Sequence, residues 1–179
     1  MRKNVWLLAV LVPILAGCMG KVDWNQGEDF EARPAWTFDL FYARLKGEDF
    51  YVQNQPVTEL HDTIPMKVFK IKQIKDGLQK LVFYFDVQNP FPTRLAYRVE
   101  WARGSGVLIT SFADTIAPGN GNQAFHHEFR HTIIKDSLPE IVLTEQMFLT
   151  LRRLDTTDIR NDEREFTVKS KADFYALMQ

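Results

Sequence analysis

Residues 81–92 read Leu81-Val82-Phe83-Tyr84-Phe85-Asp86-Val87-Gln88-Asn89-Pro90-Phe91-Pro92. Leu81, Phe83, Phe85 and Val87 take every second position, and the run closes on an Asn-Pro turn. Successive side chains on an extended chain point to opposite faces, so this alternation predicts a half-buried strand ended by a turn. The same period recurs outward in both directions. Trp36, Phe38, Leu40 and Tyr42 alternate with Thr37, Asp39 and Phe41, and Leu95, Tyr97, Val99 and Trp101 with Ala96, Arg98 and Glu100. Phe125, His127, Phe129, His131 and Ile133 form a further run, as do Phe166, Val168, Ser170, Ala172, Phe174 and Ala176. Turn residues separate these runs: Asp76-Gly77, Gly104-Ser105-Gly106, and Pro118 to Asn122. The Gly104–Gly106 turn joins its flanking runs as a hairpin. Ser137, Pro139 and Glu140 carry capping-box spacing and predict one short helix near 139–146, followed by a strand from Met147 to Leu154. Seven to eight antiparallel strands with one short helix make an all-β sandwich of Greek-key or immunoglobulin-like type.

Composition narrows the function classes. The 179 residues are 45% hydrophobic and 25% charged, which excludes collagen-like, low-complexity and polytopic membrane chains. Lys plus Arg is 22 against 23 for Asp plus Glu, so there is no basic excess of the kind nucleic acid demands, and no nucleic-acid partner is expected. One cysteine excludes an intrachain disulfide.

That cysteine sits in a telling place. Arg2 and Lys3 precede an apolar run from Val5 to Leu15, and Leu15-Ala16-Gly17-Cys18 follows. A run of about 11 residues is too short to span a bilayer and has the layout of a secretion signal. The tetrapeptide resembles the lipobox of bacterial lipoproteins, with Leu15, Ala16 and Gly17 leading to Cys18. The resemblance implies cleavage before Cys18, with diacylglycerol on its sulfur and an N-acyl chain on its amine. No other cofactor is expected. Each buried methylene contributes about 0.8 kcal/mol, so two or three acyl chains anchor stably. Met19 rather than Asp after the cysteine favours the outer membrane by the enteric sorting rule, with the periplasmic or surface face left open. The expected organisation is a signal peptide over 1–17, a lipidated cysteine and tether over 18–34, and a sandwich domain over 35–179.

Candidate chemistry is sparse. His127-Glu128-Phe129-Arg130-His131 matches H-E-x-x-H, in which two histidines one helical turn apart share a zinc ion. Here the flanking alternation predicts a strand, on which His127 and His131 stand roughly 13 Å apart. Arg130 adds a charge between them, and only Glu145 and Glu163 offer themselves as further ligands. The expectation is therefore no metal site and no catalytic residue, with His127 and His131 the remaining zinc candidates. Asp155 to Glu165 is acid-rich but lacks the central glycine of a calcium loop, and its interleaved arginines predict a self-paired surface loop. Lys67, Lys70, Lys72, Lys75 and Lys80 read as the wet face of an edge strand. No G-x-S-x-G elbow or phosphate-binding glycine loop is present in the sequence. Phe41, Val82 and Tyr84 fall on the otherwise polar phase of their strands and mark a possible interface.

The lipobox, the acidic spacer from Val22-Asp23-Trp24 to Asp29-Phe30, and the Trp36-Thr37-Phe38-Asp39-Leu40 strand together resemble small uncharacterised outer-membrane lipoproteins of Bacteroidota. The likeness continues through Leu81–Asn89 and Val168–Tyr175. It implies location and fold rather than mechanism. Val87-Gln88-Asn89-Pro90 and Ile116-Ala117-Pro118-Gly119 are also similar to the turn chemistry of the late-embryogenesis-abundant sandwich. The resulting expectation is a non-catalytic lipoprotein, held to the membrane by its lipid, that serves as accessory or structural subunit of a cell-envelope complex and contacts an outer-membrane protein. The alternative is a ligand- or cargo-binding lipoprotein, and a zinc peptidase through residues 127–131 comes third.

Overall fold

The computed structural model describes residues 33–121 and 123–177. The lipobox, Cys18 and most of the tether lie outside them. In chain order the strands are β1 (Ala35–Leu45), β2 (Tyr51–Val52), β3 (Gln55–Pro56), β4 (Glu59–Pro65), β5 (Leu78–Asn89), β6 (Leu95–Ala102), β7 (Leu108–Ile116), β8 (Phe125–Ile134), β9 (Gln146–Arg153) and β10 (Phe166–Ala176). No described helix is long and apolar enough to cross a membrane.

Two four-stranded antiparallel sheets are ordered β1-β10-β5-β8 and β4-β9-β6-β7. Setting aside the small β2–β3 hairpin, the pairs are nested. β6 pairs β7, β5 pairs β8, β4 pairs β9 and β1 pairs β10. The chain thus doubles back about the Gly104-Ser105-Gly106 turn as one long ribbon, which rolls into two facing sheets. This is the jelly-roll form of the Greek-key sandwich. Immunoglobulin domains order their strands differently.

The inward phases supply the core. Trp101, Phe83, Phe91, Phe166, Phe174, Leu81 and Met147 are buried, and burying each large apolar side chain contributes on the order of 2 kcal/mol. Phe83 packs on Trp101 at 4.7 Å between ring centroids, and Phe69 meets Phe174 edge-on at 5.6 Å.

Three local features depart from the expectations. In β1, Asp39 pairs Lys171 and Phe41 pairs Ser170, leaving Leu40 as an extra, bulged residue. The bulge reverses the alternation. Trp36, Phe38 and Leu40 face inward before it, and Phe41, Ala43 and Leu45 after it, while Tyr42 turns out to solvent. Second, the helix expected near 139–146 is a 3₁₀ segment, Pro139–Leu143, which begins after Leu138 with no side-chain cap. Ser137 instead donates its backbone N–H to Ile134 in the preceding turn. Third, the lysine-rich stretch is no edge strand at all, and Lys80 lies on β5, an inner strand paired on both sides. A 3₁₀ turn at Lys67–Lys70 leads into a short helix, α1 (Lys72–Gly77), which carries the chain from β4 of one sheet to β5 of the other. Phe69 and Ile74 are its buried anchors.

Candidate functional site

The sandwich core is unevenly filled. Toward one end, Trp101, Phe83, Phe174 and Met147 occupy the space between the sheets. Toward the other, the inward positions carry smaller groups: Ala43 and Leu45 on β1, Leu60 on β4, Val87 on β5, and Val168 on β10. They leave an apolar cleft of about 390 Å³, walled further by Leu149, Leu151, Ile116, Phe85, Phe129 and Tyr97. Its half-buried walls, Ala43, Leu45 and Leu60, lie on β1 and β4, the adjoining edge strands of the two sheets. Phe129 stacks on Phe85 at 4.7 Å and on Tyr97 at 4.8 Å, giving the cleft an aromatic wall. The Tyr97 phenol is pushed well above its ordinary pKa by burial and by the nearby Asp114 carboxylate. It therefore stays a neutral hydroxyl.

Two carboxylates line the same cleft. Asp49 lies in the 3₁₀ turn after β1, where it accepts a hydrogen bond from the Lys46 N–H at 2.7 Å. Asp62 shares the phase of Leu60 and Ile64 on β4 and stands opposite Leu149 of β9. An acid on the apolar phase of an edge strand deters pairing with another chain and also marks an opening. Sequence reasoning missed this cleft, although Leu60-His61-Asp62-Thr63-Ile64 carried the signal of an acid between two inward apolar residues.

His127 and His131 lie on β8, opposite Val87 and Phe83 of β5. Both face the other sheet, with Phe129 between them. His131 stacks on Phe112 at 4.6 Å and Trp101 at 5.8 Å, and burial pushes its pKa down. His127 lies between Phe125 and Phe129, with its Nε2 3.9 Å from Asp114 Oδ2. Four residues along a strand is about 13 Å, so the two imidazoles reach separate surroundings and do not converge on one ion. Glu128, the would-be base, points to the opposite face of the sheet.

The three interface candidates separate. Phe41 turns inward past the bulge and packs on the core against Phe85, at 6.3 Å. Val82 does lie on the outward phase but is only 6% exposed. Tyr84 also faces outward, with the Lys171 Nζ 5.2 Å from its ring centroid. Its phenol pKa is raised by burial and by a hydrogen bond with Asp173. Beside it Tyr42 is half exposed, receives a hydrogen bond from Arg44 Nε at 2.6 Å, and has the Lys169 Nζ 5.7 Å from its ring centroid. Lysine stems thus cover part of the apolar surface on this face. Tyr42, Tyr84, Asp39, Asp86, Glu128, Arg130 and the two lysines surround a broad depression of about 1000 Å³.

The acidic segment 155–165 is self-paired, side chain to side chain, only at Asp162 and Arg164 among the described residues, and Asp155, Asp158 and Glu165 bind groups outside it. Arg164 Nη2 lies 2.5 Å from Asp162 Oδ2, and Asp158 accepts a hydrogen bond from the Tyr51 hydroxyl at 2.7 Å.

No family model matches the sequence, and no curated protein matches it. Among solved structures, a candidate secreted protein of Parabacteroides distasonis is similar at 14% identity and a TM-score of 0.47, over 65% of this chain and 37% of that one. The VP2 subviral particle of infectious bursal disease virus is similar at 7% identity and a TM-score of 0.42, over 80% of this chain and 33% of that one. Desmodium yellow mottle tymovirus follows at 8% identity and a TM-score of 0.41, over 84% and 90%. The chain spans only about a third of the first two. Likenesses this distant carry nothing about function to it.

Proposed function

We propose that this protein is a non-catalytic binding lipoprotein of the outer membrane, tethered through acylated Cys18, that holds an apolar ligand in the cleft between its sheets. The cleft carries the reading. Its volume of about 390 Å³ falls in the range of small-molecule sites, roughly 300–1,000 Å³, and such sites join apolar and aromatic walls to a few polar groups. The walls here are mainly Leu, Val, Ile and Phe, and the polar residues in the lining are Tyr97, Asp49, His61 and Asp62. A carboxylate in an otherwise apolar opening suits an amphipathic molecule with an apolar tail and a neutral or cationic head. The lipobox supports the address, since acyl chains on Cys18 would hold the domain at a membrane where such molecules are found.

The test is titration of the mature, acylated protein with a fluorescent alkyl amine. Saturable binding at one site is expected, lost in Ala43→Phe, which fills the cleft from β1. Non-saturable binding, or binding indifferent to Ala43→Phe in a variant that melts cooperatively, overturns the reading. The accessory-subunit alternative rests on another surface, the depression beside half-exposed Tyr42 on the first sheet. Co-purification of a barrel protein, lost in Tyr42→Ala but retained in Ala43→Phe, would favour it.

A further inference from the structure

The outward face of the first sheet brings together three donors that the sequence keeps apart. His126 and Glu128 are two residues apart on β8 and therefore share a face, the one opposite His127 and His131. Asp86 of β5 stands directly across from Glu128 in the strand register. His126 Nε2 lies 2.8 Å from Asp86 Oδ1 and 3.7 Å from Glu128 Oε1, and one donor atom from each residue falls within 4.8 Å of the other two. We propose that Asp86, His126 and Glu128 form a Zn²⁺ site on this face, with solvent completing the coordination.

Three arguments carry the assignment. Donor atoms about 2.0 Å from a tetrahedral ion lie about 3.3 Å apart, and the two contacts made by His126 bracket that value. Two carboxylates directly opposed on neighbouring strands repel, so the pair calls for a cation. Lys169, opposite Asp86 on β10, and Arg130, two residues from Glu128, share this face, and the close contact to Asp86 is made by His126 at 2.8 Å. Finally, one imidazole with two carboxylates suits a borderline ion such as Zn²⁺, whereas Ca²⁺ requires six to eight oxygen ligands. β8 is the edge strand of its sheet, so solvent reaches the ion from the open side.

Isothermal titration of the mature, acylated protein with Zn²⁺, freed of adventitious metal beforehand, tests the site. One equivalent is expected to bind. His126→Ala should weaken it at least tenfold and Glu128→Gln measurably, while the double variant His127→Ala/His131→Ala leaves affinity unchanged and Ca²⁺ does not compete. All substitutions in the proposed site lie on an exposed sheet face, and thermal melts confirm that each variant folds. Absence of stoichiometric binding, or binding that survives His126→Ala, overturns the proposal. Loss of binding in the His127/His131 variant alone would do the same.

Discussion

Asn89 is the side chain on which the turn after β5 depends. It is completely buried, and its amide donates to the Thr93 and Ala117 carbonyls at 2.9 Å each while its Oδ1 accepts from the Phe91 N–H at 3.1 Å. One amide thus ties the Asn-Pro turn to the end of β7. Gly119 completes the junction by donating its N–H to the Phe91 carbonyl at 2.8 Å. A Cβ there would come within 2.6 Å of the Pro90 carbonyl oxygen, so only glycine fits without a shift. Asn89→Ala removes the partner of the buried Thr93 carbonyl and Phe91 N–H and of the part-buried Ala117 carbonyl, and each buried unsatisfied group costs roughly 1–3 kcal/mol. The expected loss is about 3 kcal/mol, read as a lower midpoint with unchanged slope in urea unfolding. Asn89→Asp should cost at least as much, because a carboxylate cannot donate to either carbonyl.

At the scale of elements, the connection from β9 to β10 is held by its own acids. Asp155 loses some stability of charge to burial. Hydrogen bonds from the Thr93 hydroxyl at 2.5 Å, the Arg94 N–H at 2.9 Å and Thr157 more than compensate, and its pKa falls below the usual carboxylate value. The Arg160 N–H and the Tyr51 hydroxyl lower that of Asp158, and the Arg164 guanidinium lowers that of Asp162 against some burial. Ile159, 2% exposed, plugs the loop into the core, and Arg160 covers the ring of Tyr51 at 4.6 Å. A folded pKa below the unfolded value of about 3.9 stabilises the native state fully above that value, and the contribution fades as pH falls through the folded values. Unfolding free energy should therefore begin to fall as pH drops below about 6.5, where depressed His131 resists protonation only in the folded state, and the three acids add a further drop below about pH 4. Asp155→Asn should be less stable at pH 7 by about 1 kcal/mol, with a shallower acid slope. Equal slopes in the two proteins would assign acid lability to other groups.

At the scale of the whole molecule, nested pairing places the ends of the described chain together. Ala35 pairs with Tyr175, and β10 lies between β1 and β5. The first sheet therefore cannot close until the last strand arrives, and the sequence separation across it is nearly the length of the domain. Folds dominated by such non-local pairings fold in milliseconds to seconds or slower. Stopped-flow refolding should show a dominant phase in that range, and a chain ended after Glu165 should lack a cooperative unfolding transition.

Local chemistry alone determined β1, β5 to β10, the Asn89-Pro90 and Gly104–Gly106 turns and the Asp162–Arg164 pairing, while β4 escaped it. Alternation, turn propensity and charge spacing act between residues that are neighbours in the chain. The lipobox reading of Cys18 rests on the same local grounds. Only the tertiary structure decided the rest. The Leu40 bulge turned Phe41 from the outer face to the core, and its partner strand lies some 130 residues away. The cleft exists because Ala43, Leu60, Val87 and Val168, small or modest each on its own strand, face one another across two sheets. Asp86 meets His126 and Glu128 through the β5–β8 register, about 40 residues removed in sequence. Voids and donor sets are properties of facing surfaces, and no single strand carries them.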